Sequence, residues 1–87
     1  KIQNIVASAS LGGTIDLERA AFELGKTMYE PEQFPGLIYR MDEPKVVILL
    51  FASGKLVCTG AKKEQDVYKA VNKLHEILEE KNLIYYD

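Results

Sequence analysis

The segment KVVILLFASGKLVCTG, residues 45–60, constrains the fold most, because it contains a strand that is apolar on both faces. Side chains alternate between the two sides of a strand, so Val47, Leu49 and Phe51 point one way. The opposite set is apolar as well, and it consists of Val46, Ile48 and Leu50. Such a strand needs an apolar cover on each side of its sheet. The rest of the chain must therefore supply two covers or leave one face uncovered.

Further short strands surround this segment. Strand-like patterns occupy residues 2–10, 27–29, 36–41, 45–51 and 55–60. The last three are predicted to form an antiparallel meander, because the intervening DEP and ASG are short and typical of turns. Pro31 and Pro35 disfavour regular structure, so residues 30–35 are predicted to form an irregular tip.

Two amphipathic helices are predicted. The first begins after Thr14 or Asp16 as N-cap and ends at Gly25, with apolar residues at helical spacing between them. The second runs from residue 63 to about residue 81, and Asn82 is a plausible C-cap. The last residues, NLIYYD, either form a short strand or fray, and the pattern leaves both open. The apolar face of the long helix consists of Val67, Ala70, Val71, Leu74, Ile77 and Leu78.

These two helices can cover only one face of a small antiparallel sheet. Leu56 and Cys58 are predicted to face the helices, whereas Val57 and Thr59 face the other side. That side should be an apolar patch edged by lysines, which a monomer rarely exposes without a use for it. Three interpretations remain open on periodicity alone: a ligand-binding sheet, a homodimer that buries sheet against sheet, or a fragment of a longer chain.

Length and charge limit the classes of protein further. A chain of 87 residues has room for one domain, residues 1–87, and its net charge of −2 gives no bulk basicity of the kind that marks many nucleic-acid binders. The positive charge is local to residues 34–63. No apolar run approaches the length of a membrane span, so the sequence predicts a soluble protein that is not exported.

No motif for catalysis or metal binding is recognisable. Cys58 has no partner for an internal disulfide, which favours a reducing compartment, and its position indicates a small buried hydrophobic residue. His75 has no Ser, Asp or Cys at motif spacing. The sequence therefore predicts neither an enzyme nor a cofactor.

Four stretches, taken together, resemble the TATA-box-binding protein family of archaea and eukaryotes. They are IQNIV, EPEQFPGLIYRM, a strand ending in FASGK, and VCTGAK. The resemblance covers essentially the whole chain. It is greatest to the carboxy-terminal repeat in its archaeal form, because the long helix is rich in Glu and Lys and the chain ends near an acidic tail.

The resemblance implies a fold. Proteins of the family have two tandem repeats that form a saddle, and each repeat is an α+β unit with a curved five-stranded antiparallel sheet and two helices on its convex face. This chain would supply one repeat, half of the saddle. The uncovered face of the sheet is then the DNA-binding underside, which lies in the minor groove.

The resemblance also implies DNA contacts. Phe34 and Phe51 match the phenylalanines that wedge into a base step, and Asn4 and Thr59 match the polar pair that contacts base acceptors. A few donors among aliphatic residues select A·T pairs, because the guanine amino group obstructs apolar walls in the minor groove. The aliphatic floor would be Val6, Ile38, Val47, Leu49 and Val57, and the phosphate contacts Arg40, Lys55 and Lys62.

Each of these residues also has a plainer structural interpretation. Without the resemblance, Phe51 would be a core residue, Asn4 a polar residue on an edge strand and Thr59 a residue chosen for strand propensity. The aliphatic floor would be a dimer core, and the basic residues a solvated surface.

Glu30 and Glu32 lie on the tip that corresponds to the stirrup gripped by transcription factor B. Acidic groups are poor neighbours for DNA but attract a basic protein partner. A solvated acidic loop is the alternative. Lys63 replaces the small polar residue usual after GAK in the family, which predicts a weaker cap for the long helix and an additional phosphate contact.

The expected function is that of a general transcription initiation factor, which binds A·T-rich promoter DNA and bends it by phenylalanine wedging. Its partners would be promoter DNA, transcription factor B and a second repeat or a homodimer partner, in an archaeal cytoplasm or a eukaryotic nucleus. The alternative is a protein-interaction module of the same fold without a DNA function. Lys1 as first residue favours an excised piece, although a natural single-repeat protein stays open.

Overall fold

The computed structural model describes residues 5–86. All predicted strands and helices are present there, with small differences at their ends, and residues 2–4 of the first predicted strand lie outside the described residues. The elements are β1 (Ile5–Ser10), β2 (Thr14–Ile15), α1 (Leu17–Leu24), β3 (Thr27–Tyr29), β4 (Leu37–Met41), β5 (Val46–Leu50), β6 (Lys55–Ala61), α2 (Glu64–Glu80) and β7 (Ile84–Tyr85).

Five of the strands form one antiparallel sheet in the order β1-β6-β5-β4-β3. The predicted meander is confirmed, because β4, β5 and β6 are neighbours both in the chain and in the sheet. With the two helices, this confirms the predicted α+β fold of five antiparallel strands and two helices. β1 and β3 form the two edges.

A bulge adjusts the pairing of β1 with β6. Ile5 pairs with Ala61 and Ala7 pairs with Cys58, so β6 has one more residue than β1 in this interval. Gly60 lies in this interval with φ of 85°, a conformation that glycine adopts without strain. The bulge keeps the side chains on both sides of it on their proper faces of the sheet.

The helix ends follow local hydrogen bonding. The Asp16 side chain caps α1 by accepting from the Arg19 N–H at 3.2 Å, which decides between the two predicted caps. Lys63 precedes α2 and provides no side-chain cap, as predicted. The C-cap of α2 is Lys81 rather than the predicted Asn82, which follows it with φ of 57°, and the Leu83 N–H donates to the Leu78 carbonyl at 2.8 Å. This six-to-one bond is typical of a Schellman motif.

A second, two-stranded sheet was not predicted. β2 pairs with β7 through Thr14 opposite Tyr85 and Ile15 opposite Ile84, so within NLIYYD these two residues, Ile84 and Tyr85, form a short strand. Ile15 and Ile84 are buried, and so is Leu83. The segment after α2 therefore completes the core next to the start of α1.

The core lies between one face of the main sheet and both helices. Ile48 and Leu50 of β5 and Leu56 and Cys58 of β6 are essentially inaccessible to solvent, as the alternation in the sequence predicted. They pack in one cluster with residues of both helices. From the helices the cluster receives Leu17, Ala20, Ala70, Leu74 and Leu78.

The turn between β5 and β6 is held by the loop after β1. The Leu11 N–H donates to the Gly54 carbonyl at 2.9 Å, and the Ile15 N–H donates to the Ala52 carbonyl at 2.8 Å. A Cβ on Gly54 would lie 1.9 Å from the Gly13 carbonyl oxygen. Only glycine allows this approach of two backbones, and the approach fixes the turn that follows β5.

Within residues 5–86, neither helix is long and apolar enough to cross a membrane.

Candidate nucleic-acid interface

The side of the main sheet that neither helix covers, called the open face below, has an apolar centre. Strand pairing aligns five residues across it, one from each strand. Four interstrand spacings make this row about 19 Å wide. The row reads Ser8, Val57, Leu49, Ile38 and Met28, in the order of the strands.

A second row lies beside the first and mixes apolar and polar groups. Val47 of β5 lies between Thr59 of β6 and Arg40 of β4. The Thr59 hydroxyl donates to the Val47 carbonyl at 3.3 Å, so its hydrogen is already bonded within the protein. Contact with a base acceptor would require this hydroxyl to rotate. Val6 on β1 is 67% exposed, which is consistent with its predicted place on the open face.

Phe34 and Phe51, which are distant in sequence, lie side by side. Their ring centroids are 5.8 Å apart and the ring planes meet at 64°, an edge-to-face arrangement. The Phe34 N–H donates to the Glu30 carbonyl at 2.9 Å in the tip. Phe51 begins the β5–β6 turn, where its N–H donates to the Lys55 carbonyl at 2.9 Å. Two separate turns thus present one aromatic pair, and both rings are partly exposed.

Basic side chains border the sheet. Arg40, Lys45 and Lys62 line a depression of about 550 Å³ at the end of the sheet where β4 turns into β5. Lys55 lines another depression of about 550 Å³, together with Phe51 and Val57. All four basic residues are exposed. This arrangement places positive charge around an apolar surface, as phosphate contacts beside a groove floor require.

The acidic tip lies before Phe34. Glu30 and Glu32 are both exposed, and the Glu30 carbonyl accepts from the Gln33 and Phe34 N–H groups at 2.9 Å each. The tip is thus a tight turn whose carboxylates remain accessible. As predicted, residues 30–35 form neither a helix nor a strand, although the two hydrogen bonds to the Glu30 carbonyl order the turn.

Most of the predicted DNA-contact residues are therefore on or beside the open face. Asn4 is the exception, since it lies outside the described residues. Four further residues of this surface were missed by sequence reasoning. Ser8 and Ser10 follow Val6 by simple alternation, so the pattern could have identified them, whereas Met28 and Lys45 needed strand register and turn geometry.

The residues set aside as non-catalytic have ordinary structural environments. Burial raises the pKa of the Cys58 thiol, which disfavours the reactive thiolate. Tyr86 donates to Glu79 at 2.7 Å and accepts from His75 Nε2 at 2.6 Å, and the bond to the carboxylate raises the pKa of Tyr86. Among residues 5–86, no cluster of His, Cys, Asp and Glu could hold a metal ion.

Comparisons with known proteins agree with this architecture. The family model described as "Transcription factor TFIID (or TATA-binding protein, TBP)" matches residues 1–81. The TATA-box-binding protein of Pyrodictium occultum is 68% identical over 78 residues, which is 90% of this chain and 39% of the relative. That of Sulfolobus acidocaldarius is 64% identical over 80 residues, 92% of this chain and 41% of the relative. The solved structure of Methanococcus jannaschii TBP superposes with a TM-score of 0.88 at 52% identity, covering 92% of this chain and 47% of that one.

The chain is thus an α+β protein of the class whose sheet has one face covered by helices and one left open. It belongs to the TATA-binding protein family. That family is one of transcription factors rather than enzymes, and the relatives named above are archaeal, as the resemblance implied. The chain spans about two fifths of the length of the curated relatives it matches.

The two faces of β5 should respond differently to truncation. Leu50 is fully buried, whereas Leu49 beside it is only partly buried and lies on the open face. Leu50→Ala should lower the free energy of unfolding by about 2–5 kcal/mol, because it leaves a cavity in the core. Leu49→Ala should lower it by about 1 kcal/mol or less. Urea unfolding of the two variants measures the difference, and equal losses would contradict the assignment of the faces.

Proposed function

We propose that this chain is a DNA-binding repeat of a general transcription initiation factor, and that its open face lies in the minor groove of A·T-rich promoter DNA. The observation that carries the proposal is an apolar sheet face with an aromatic pair at one end and basic side chains around it. The names of the relatives, TATA-box-binding proteins, support the same function.

The aliphatic floor and the aromatic pair have complementary roles in this proposal. Val47, Leu49 and Val57 exclude water from a groove floor that carries only acceptors at A·T pairs, and a guanine amino group would meet them unfavourably. Phe34 and Phe51 insert at a base step and open it. Unstacking costs about a few kcal/mol per step, a general value for minor-groove wedges of which this family is the standard example, and the apolar contact area offsets it.

Thr59 contributes as a donor that changes partner. In the free protein its hydroxyl bonds the Val47 carbonyl. On binding it would rotate toward a base acceptor, so one internal hydrogen bond is exchanged for one to DNA. The net gain from such an exchange is small, and its value lies in matching A·T acceptors.

DNA binding should prefer A·T-rich duplex and depend on Phe51. The probe is a fluorescently labelled A·T-rich duplex, compared with a G·C-rich duplex of equal length by anisotropy. Phe51→Ala should weaken binding about 10- to 100-fold, the equivalent of losing one buried phenylalanine contact. Phe22→Ala is the matched control, because Phe22 is 91% exposed on α1 in the helical layer.

Salt dependence separates phosphate contacts from the groove floor in the same experiment. Lys55→Gln and Lys62→Gln should each reduce the slope of log K against log salt by about 0.9, whereas Lys81→Gln at the end of α2 should not change it. Equal affinity for the two duplexes would argue for the alternative, a protein-interaction module that keeps the fold without the DNA function.

We further propose that β1 is the edge that pairs with a second repeat, or with a second copy when this chain is alone. β1 is an edge strand of the described sheet, and edge strands present backbone groups for pairing. A depression of about 370 Å³ between β1 and α2 is lined by Val67, Tyr68 and Val71, and Tyr68 is 67% exposed. Two such edges together would form a pseudo-saddle with a continuous open face.

Sedimentation equilibrium tests this association. The chain should dimerise as its concentration rises, and Tyr68→Lys should shift the dissociation constant upward by at least about tenfold, because a charge would be buried in the contact. Phe22→Lys introduces the same charge at a still more exposed aromatic residue on α1, away from β1, and should leave the constant unchanged. A strict monomer at high concentration would contradict the proposal.

The acidic tip is proposed as the contact for transcription factor B. Glu30 and Glu32 lie beside the wedge but project carboxylates that DNA would repel, so a basic partner surface suits them. Changing both to Gln should weaken recruitment of transcription factor B to the DNA complex while leaving binary DNA binding unchanged or slightly stronger. Electrophoretic mobility shifts with and without transcription factor B measure both, and unchanged recruitment would contradict this role.

A further inference from the structure

We propose that Gly36 is a positioning residue for the Phe34–Phe51 pair. Because residue 36 has no side chain, it leaves a space, called the seat below, that both rings occupy. The inference rests on the proposed function for its consequence in DNA binding, although the seat itself is a property of the free protein.

The space above Gly36 is filled by the two rings. A Cβ built on Gly36 would lie 2.9 Å from Phe34 Cε2, 2.9 Å from Phe51 Cε1 and 3.1 Å from Phe51 Cδ1. The first two separations are shorter than a normal carbon contact, so any side chain here would displace both rings. Gly36 is itself buried. The rings therefore cover its α carbon directly.

The backbone conformation does not demand glycine at this position. The glycines with positive φ are Gly12, Gly25, Gly54 and Gly60, and Gly36 is not among them. An alanine would fit the backbone conformation without strain. The requirement for glycine therefore comes from the room that the rings need.

The rings have few other ways to be placed. Phe34 is bonded through its N–H to the tip, and Phe51 is bonded through its N–H and its carbonyl within the β5–β6 turn. With both backbones held, the ring positions depend on side-chain torsions and on what lies beneath. Because no Cβ on Gly36 separates the rings, they can approach each other in the edge-to-face arrangement observed, with centroids 5.8 Å apart and ring planes at 64°.

A preset pair matters for a wedge. If the rings had to be ordered on binding, the loss of rotamer freedom would reduce affinity, whereas a seated pair meets the DNA already in place. Gly36 thereby acts on the DNA through Phe34 and Phe51 without having to contact it.

The first test concerns the free protein and uses NMR. The Gly36 α protons should show nuclear Overhauser effects to both rings, and a ring-current shift that changes in Phe34→Leu and again in Phe51→Leu. Gly36→Ala should remove or alter the contacts between the Phe34 and Phe51 rings. Gly25→Ala is the control, because a Cβ there meets nothing within 4 Å although its φ of 64° is unfavourable to alanine. Unchanged ring contacts in Gly36→Ala would overturn the seat.

The second test uses the A·T-rich duplex. Gly36→Ala should weaken binding roughly three- to tenfold, the effect of forcing a side chain off its preferred rotamer. In the Phe34→Leu background the same substitution should have a smaller effect, since one of the two clashing rings is gone. Additive effects, or full affinity in Gly36→Ala, would overturn the positioning role.

The outcomes also distinguish this inference from the proposed function. If the wild-type chain shows no preference for A·T-rich duplex, the proposed function fails. The NMR contacts at Gly36 still decide whether the two rings pack on this residue in the free protein. If Gly36→Ala does not fold, the Phe34→Leu and Phe51→Leu shifts of the Gly36 α protons decide it alone.

Discussion

The packing of β5 and β6 beneath the helices determines most of this molecule. Because side chains alternate along a strand, burying Ile48 and Leu50 obliges Leu49 and Phe51 to take the opposite face. A shift of one residue in register would exchange the two sets. The orientation of β5 therefore determines both the core and the open face. A change in the packing of α2 would alter the exposed surface as well.

The open face depends on the turns at least as much as on the strands. The β5–β6 turn carries Phe51, and it is held by the approach of Gly54 to Gly13 and by hydrogen bonds to the loop after β1. The tip before β4 carries Phe34 in a similarly bonded turn. Loops usually tolerate change, but here two of them define the position of one aromatic pair. Rigid turns at the end of a regular sheet give this interface its shape.

Alternation and helical periodicity were sufficient to locate the five strands of the main sheet and both helices, to pair β4, β5 and β6, and to divide β5 into two faces. They could not show that Phe34 and Phe51 touch, because that contact joins two turns through the fold. The pairing of β2 with β7 was not predicted, because a strand of two residues such as Thr14–Ile15 is too short to show a hydrophobic period. Met28 was missed for a related reason: its place in the apolar row follows from pairing with Ile38, which only the register reveals. Lys45 joins Arg40 and Lys62 through the geometry of a turn.

The pairing of β2 with β7 has a consequence for how the chain folds during synthesis. Leu83 and Ile84 are buried against a segment that is made about seventy residues earlier, and β7 has no other strand partner among the described residues. Residues 83–85 must leave the ribosome before Ile84 can pair with Ile15, so the helical layer cannot close until these residues have emerged. Contacts of such large sequence separation form slowly, because a long loop must close first. Until then the nascent chain exposes part of its core, and the core is complete only once β7 has paired with β2.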